Sequence, residues 1–486
     1  ALLLAKQTFF SPYLDPSAVH PNPVLYRKLQ ETRHLPITEQ DLEYLSEGLE
    51  GRSGNPVAVL FDTLLHPNAD FGYEFPPVLQ WRRDKQQHLP HLVLGRATPG
   101  GAWHVSYSYT VYTLLSPLLK DLLFDNECSS PPPPPRGVTN DRATPEEISS
   151  YYRNYVKLMG LKQNFVDNTY VTSVQKLFRG HEGEGLENGH GVLGEGGKGV
   201  GYQRVQGDTH VPFCLFSENV VLATGASDSP AQLGVEGEEL PFVFHSISAL
   251  GLAVSRKKLG PNSDPVLIVG AGLSAADAVL CACNNNISVL HVFRKHVDDP
   301  GLIFKQLPKT LYPEYHKVYH MMHSQTHPQP TTTNMAASGG PVLFPDYTSF
   351  PEHCVVSFQP DMKCVLQGSN SLKAFKISMA LVLIGTHPNL FFLKGQGQYL
   401  GLDPTKPISC KQNPVDVHPY TFECTKDPGL FAMGPLVGDN FVRFLKGGAL
   451  GIASCLLKRL KKKDNSLLTY CTCQPDFNQW GIRVLY

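Results

Sequence analysis

Pro265-Val-Leu-Ile-Val-Gly270-Ala-Gly272-Leu-Ser-Ala275-Ala-Asp-Ala278 is the stretch that decides the fold. Residues 265–269 run without a polar interruption, which predicts a strand buried on both faces, as in a parallel sheet. The strand leads directly into Gly270-x-Gly272-x-x-Ala275, the spacing of a dinucleotide turn. Each small residue meets a different need. Gly270 permits the tight turn, Gly272 lets the backbone approach a pyrophosphate, and Ala275 lets the helix lie close on the strand. The helix predicted over 274–283 carries Ser274 in its first turn and directs its free N–H groups and positive dipole end at the phosphates. A second apolar run over 287–293 completes a βαβ unit spanning 265–295.

The residues at the end of that second strand select the nucleotide. A site for NAD places Asp or Glu there, about 20 residues beyond the turn, to bind the ribose hydroxyls. This chain has Arg294 and Lys295, then His296. Two cations suit the 2′-phosphate of NADPH, and Arg grips phosphate with a forked, charge-assisted geometry. The competing reading is a solvated strand end.

The length of 486 residues predicts two or three domains with a sizeable core. A net charge of −1 gives no general attraction to nucleic acid or to an acidic membrane, so a small-molecule substrate or a protein partner is expected. Eleven cysteines include Cys281-x-Cys283 and Cys471-x-Cys473 but no C-x-x-C and no Cys/His zinc spacing. They read as reduced thiols of an intracellular, cytoplasmic protein, and their spacing argues against a disulfide reductase. The most apolar stretch, 111–124, is broken by Pro117, Lys120 and Asp121, so no membrane span is expected. The opening Ala-Leu-Leu-Leu-Ala-Lys is too short for a signal peptide.

Along the chain, 39–49 reads as a short helix, 92–94 as a short strand, and 131–135 as a polyproline run that joins neither. Thr144-Pro145-Glu-Glu147 opens a helix to about Leu158 with a capping box. A glycine-rich loop is expected over 180–201, and strands over 211–216 and 219–223.

Several short signals point to a flavin. Pro99-Gly100-Gly101-Ala-Trp103-His104 sets bare backbone beside an indole; an ordinary turn with a core Trp is the alternative. Ala223-Thr224-Gly225 ends one strand, Gly385-Thr-His-Pro388-Asn389 ends another, and Gly438-Asp439 precedes a helix over 441–457. In such a position Asp439 could bind a ribityl hydroxyl. The order GGxW, ATG, GxGxxA, GTxPN, GD carries more weight than any member of it.

That order resembles flavoproteins in which an NADPH domain is inserted within an FAD domain. The strings over 42–53, 99–104, 275–278, 306–309 and 311–317, with Asp299-Pro300 and Gly434-Pro-Leu-Val-Gly-Asp-Asn-Phe-Val-Arg-Phe444, are similar to the oxidative-stress-induced growth inhibitor family. The similarity covers roughly 11–104, 141–178 and 200–460. It implies a flavin-monooxygenase-like fold that uses NADPH and FAD. It also implies a part in growth restraint, cell division and meiosis or germ-cell maturation.

The sequence departs from that pattern in three places. Residues 1–10 hold no glycine where the family opens on Gly-x-Gly-x-x-Gly, which argues against FAD being held, since its pyrophosphate would lose that close backbone approach. Residues 105–140 and the tail beyond 463 also diverge. Phe242-Val-Phe-His245-Ser246 keeps the Phe and His of the monooxygenase signature without its glycine or spacing. The catalytic residues therefore stay unassigned, and a non-catalytic NADPH-binding regulator without FAD is the rival expectation.

The expected architecture is α/β, with two doubly wound dinucleotide-binding domains, the FAD domain discontinuous and truncated at its start. The layout is a first FAD part over 1–104, an irregular Pro-rich insertion over 105–140, and the rest of that segment over 141–240. An NADPH domain over 241–395, a closing FAD segment over 396–460 and a basic tail over 461–486 complete it. His316, His320 and His323 share a helix face but lack a completing carboxylate or Cys, so no metal is expected. Lys458-Arg459 and 461–463 could act as a nuclear address or as a solvated tail.

Overall fold

The structure is a computed structural model that describes residues 9–71, 73, 75–84, 89–104, 145–176, 198–206, 209–309, 312–324, 346–369 and 371–470. The Pro-rich insertion, most of the glycine-rich loop and the end of the tail lie outside the described residues.

The apolar runs become the centre of a five-stranded parallel sheet. Its order is Val243–Phe244, Met379–Val382, Val266–Val269, Val289–Phe293, Tyr347–Pro351, with Val266 opposite both Met379 and Val289. Every residue of the three central strands is buried, because both faces are covered. Val266 and Ile268 pack under the helices Ile247–Ser255, Leu273–Asn284 and Pro313–Ser324. Leu267 and Val269 point to the other face, toward the antiparallel strands Cys354–Gln359, Lys363–Gln367 and Leu372–Lys376. The period of two along one strand thus builds two separate cores.

This whole unit is an insertion. The strands Val220–Leu222 and Leu430–Ala432 lie on either side of it in sequence, yet pair in parallel, Val220 opposite Leu430. Around them a third core gathers the helices Pro56–Leu65 and Val442–Tyr470 and the antiparallel pair Phe9–Leu14 and Leu79–Asp84. The two helices cross at glycine: a Cβ on Gly447 would stand 2.5 Å from the Ala58 Cα. A three-stranded antiparallel sheet, Thr169–Lys176, Lys198–Gln206 and Thr209–Ser217, borders this unit.

Most expected elements form, with shifts at their ends. The helix expected over 39–49 is a 3-10 turn Ile37–Glu39 followed by Leu42–Ser46, whose N-cap Asp41 accepts from the Glu43 and Tyr44 amides. The helix Pro145–Leu158 starts at its proline. The glycine-rich loop gives way to strand already at Lys198, because the buried Lys198 ammonium pairs with Asp427 at 2.7 Å and anchors it. The C-terminal helix extends past the expected 457 to Tyr470.

The basic run at its end is largely engaged by the protein itself. Lys458 donates to the Gln40 carbonyl at 2.9 Å, Arg459 pairs with Glu423, and Lys461 pairs with Glu39 at 2.8 Å. Among the described residues no helix is long and apolar enough to cross a membrane.

Candidate functional site

The dinucleotide turn takes the shape its spacing predicts, and the two glycines prove to have different reasons. Gly270 adopts φ +130°, open to glycine alone in practice, and a Cβ there would meet the Leu383 carbonyl oxygen at 2.4 Å. It is therefore fixed by the neighbouring strand. Gly272 is the N-cap of Leu273–Asn284 with an extended backbone, and a Cβ there would meet nothing within 4 Å. Its smallness answers no need of the protein's own packing, and the space above it adjoins the free N–H groups of a twelve-residue helix with no acidic residue in its first turn. Ser274 is exposed beside that space, and Ala275 is fully buried against the sheet.

At the end of Val289–Phe293 the two expected cations separate in role. Arg294 is exposed and has no ion-pair partner among the described residues, whereas Lys295 is paired with Asp299 at 3.3 Å. By spacing alone the two carry equal weight; Asp299, four residues on, draws off the second.

The Ala-Thr-Gly and Gly-Thr-His turns are brought together. Thr386 Oγ1 donates to the Ala226 carbonyl at 2.7 Å, and Thr386-His387 pairs antiparallel with Ser229-Pro230. Gly225 and Gly385 both sit at positive φ with open space where a side chain would be, and Thr224 is exposed. This double crossover joins the inserted unit to its host, next to Leu383 and hence next to Gly270.

A Cβ on Gly100 would meet the folded-back His104 ring at 2.7 Å and the Ser149 Cα at 3.1 Å, so the glycine serves packing onto the helix Pro145–Leu158. Trp103 is half-buried.

Gly438 takes the left-handed cap of a 3-10 turn at φ +90° and delivers Asp439 inward rather than toward open space. Its carboxylate is buried and accepts from Ser53 Oγ and from Asn55 Nδ2, the latter at 2.9 Å. Each carboxylate oxygen has one protein donor and keeps capacity for another, in a residue that is 2% exposed. Burial outweighs those donors and pushes the Asp439 pKa up to about 6.

A carboxyl raised from about 4 to about 6 binds its proton more tightly folded than unfolded, so its contribution to stability falls as pH rises through that window and is level above it. Asp439→Asn should remove a loss of about 2–3 kcal/mol between those limits. Urea denaturation of both proteins from pH 4 to 7.5 tests this: the stability difference must grow with pH, and a constant difference refutes the assignment.

Next to this carboxylate lies a charged network that sequence reasoning missed. Arg443 makes a two-pronged pair with Asp62 and reaches Asp70 at 3.1 Å, while Arg52 Nε donates to the same Asp70 oxygen at 2.8 Å. The Arg52 guanidinium lies 4.9 Å from the centroid of Phe441, a residue that packs against the core of the inserted unit as well as its host's. The only signal in the sequence was a lone charge in each of two apolar runs, Pro56–Leu65 and 441–445.

The three helix histidines do not converge. His316 Nε2 is 2.8 Å from the Leu307 carbonyl, and His323 Nε2 is 3.2 Å from Asp298, and among the described residues no group of three metal-ligating side chains occurs. Burial pushes the Cys281 and Cys283 thiols up, away from thiolate reactivity.

A parallel βαβ unit inserted between two paired strands of a host unit defines a two-unit α/β protein with the architecture of the two-dinucleotide-domain class. The chain belongs to the oxidative stress-induced growth inhibitor family. It is 55% identical over 468 residues to oxidative stress-induced growth inhibitor 2 of Homo sapiens, covering 93% of this chain and 90% of that protein. To oxidative stress-induced growth inhibitor 1 of Mus musculus it is 48% identical over 459 residues, covering 93% and 91%. Among solved structures, the bacillithiol disulfide reductase of Bacillus cereus aligns with TM-score 0.49 and 15% identity over 76% of this chain and 91% of that one. No family model matches.

Proposed function

We propose that the chain binds NADPH at the turn 270–275 and the strand end at Arg294, and acts as an NADPH-dependent flavoprotein oxidoreductase that resembles a flavin monooxygenase. The role in restraining growth rests on the names of its relatives. The observation that carries the nucleotide reading is Gly272, whose missing side chain leaves room at a helix N-terminus and nowhere relieves a clash. In this reading the helix amides receive the pyrophosphate and Arg294 receives the 2′-phosphate. Bound there, NADPH is a hydride donor.

Arg294→Ala is expected to weaken NADPH by roughly tenfold or more, the size of a lost charge-assisted contact of about 1.5–3 kcal/mol, and NADH hardly at all. Titration calorimetry with both nucleotides decides it. Equal losses would refute the 2′-phosphate assignment.

A second reading is an NADPH-responsive regulator without flavin, supported by the burial of Asp439, which is 2% exposed and held by Ser53 and Asn55. Visible absorbance of the purified protein separates the two. A yellow chromophore bleached by NADPH supports the oxidoreductase, and a colourless protein that binds NADPH supports the regulator.

A further inference from the structure

His291 stands in the middle of Val289–Phe293, where its four strand neighbours are apolar and buried. The ring is fully buried as well, yet both its nitrogens are occupied. Nδ1 lies 2.7 Å from the Tyr347 hydroxyl and Nε2 lies 2.7 Å from the Gly270 carbonyl oxygen. Burial drives its pKa down to about 4, so at neutral pH the ring carries one N–H. A carbonyl can only accept, which places that proton on Nε2. Nδ1 must then accept from Tyr347. The result is a one-way relay from the Tyr347 hydroxyl, through the imidazole, to the first glycine of the dinucleotide turn.

Residue Gly270 is held from three sides. Its N–H donates to the Val292 carbonyl at 2.9 Å, the Leu383 carbonyl oxygen stands 2.4 Å from where its Cβ would be, and its own carbonyl accepts from the imidazole N–H. In a planar trans peptide the C=O and the next N–H point in opposite directions. A Gly270 carbonyl drawn onto His291 therefore turns the Ala271 N–H away from His291.

We propose that His291 is a positioning residue for the dinucleotide: its Nε2–H locks the Gly270–Ala271 peptide so that the Ala271 N–H is presented to the pyrophosphate, and Tyr347 fixes the tautomer that makes this possible. The proposal rests on the NADPH reading above. It separates two parts of the ligand, because the peptide concerns the pyrophosphate and Arg294 the 2′-phosphate.

The test uses NADPH and 2′-AMP, which has the 2′-phosphate but no pyrophosphate, titrated into the full chain by calorimetry. His291→Phe keeps the ring's bulk and removes the N–H. It should weaken NADPH by about tenfold, the size of a lost hydrogen bond near an oriented peptide, and leave 2′-AMP within about twofold. His291→Gln, which restores an N–H donor, should regain most of that loss. Tyr347→Phe should cost NADPH a smaller factor, about threefold. An equal loss of NADPH and 2′-AMP in His291→Phe would mean general loosening and overturn the proposal, as would unchanged NADPH binding. Should that variant not fold, equal losses of the two ligands in Tyr347→Phe would overturn it in the same way. A wild-type chain that binds neither ligand would refute the NADPH reading itself.

Discussion

Gly272→Val is expected to abolish NADPH binding, a loss of a hundredfold or more, in a protein that still folds. The backbone at 272 is extended, with φ −95° and ψ −179°, a conformation any residue adopts, and a Cβ there meets no protein atom within 4 Å. The substitution costs only what a poor N-cap costs, about 0.5–2 kcal/mol. Its isopropyl group fills the space over the amides of Leu273–Asn284, where the proposed pyrophosphate must come within hydrogen-bond distance.

Gly270→Ala should behave in the opposite way. It forces a side chain onto φ +130° and drives a Cβ to 2.4 Å from the Leu383 carbonyl oxygen. The backbone strain alone is worth about 1–3 kcal/mol, before the adjacent strand is displaced. Denaturant midpoints should thus separate the two variants, falling for Gly270→Ala and staying near the wild type for Gly272→Val, whose loss is in NADPH affinity. A Gly272→Val protein that binds NADPH like the wild type would remove the nucleotide from this turn.

That contrast also marks how far the sequence could be read. The inserted unit was legible because its signals are local: an apolar run, two glycines and an alanine at fixed spacing, then a second run. The separate duties of the two glycines were legible from the spacing, but what holds Gly270 was not, since it depends on Leu383, more than a hundred residues away. Lys295 is equivalent to Arg294 in spacing, and only its pairing with Asp299 sets it apart. Asp439 was readable as a carboxylate near a helix start, but its donors, Ser53 and Asn55, come from the far end of the chain. His291 read as one more strand residue, because only the fold sets a tyrosine and a glycine carbonyl at its two nitrogens. Local chemistry is written in neighbouring residues, whereas a polar group's partner across the fold is not.

The buried pair of Asp62 and Arg443 is the strongest case of such long-range pairing, and breaking it should have the largest effect on stability. Both side chains are buried, and they join the first turn of Val442–Tyr470 to the middle of Pro56–Leu65. Burial opposes the charged guanidinium, but the hydrogen bond and charge of Asp62 outweigh it and hold the Arg443 pKa above its ordinary value. Arg443→Met leaves Asp62 buried without its cation and is expected to cost about 3–5 kcal/mol. Urea denaturation at neutral pH measures it. Pairing that change with Asp62→Leu removes the orphaned charge and should recover most of the loss, because an apolar pair avoids the desolvation of two ions. Asp70 then retains Arg52 as its partner at 2.8 Å. If the double variant is as stable as the wild type, the pair is not needed for stability, and its use lies in fixing how Phe441 seats between the two cores. Faster amide exchange around 438–444 in that variant is the expected sign. A single Arg443→Met variant that loses less than about 1 kcal/mol would show that the pair contributes no more than an exposed one.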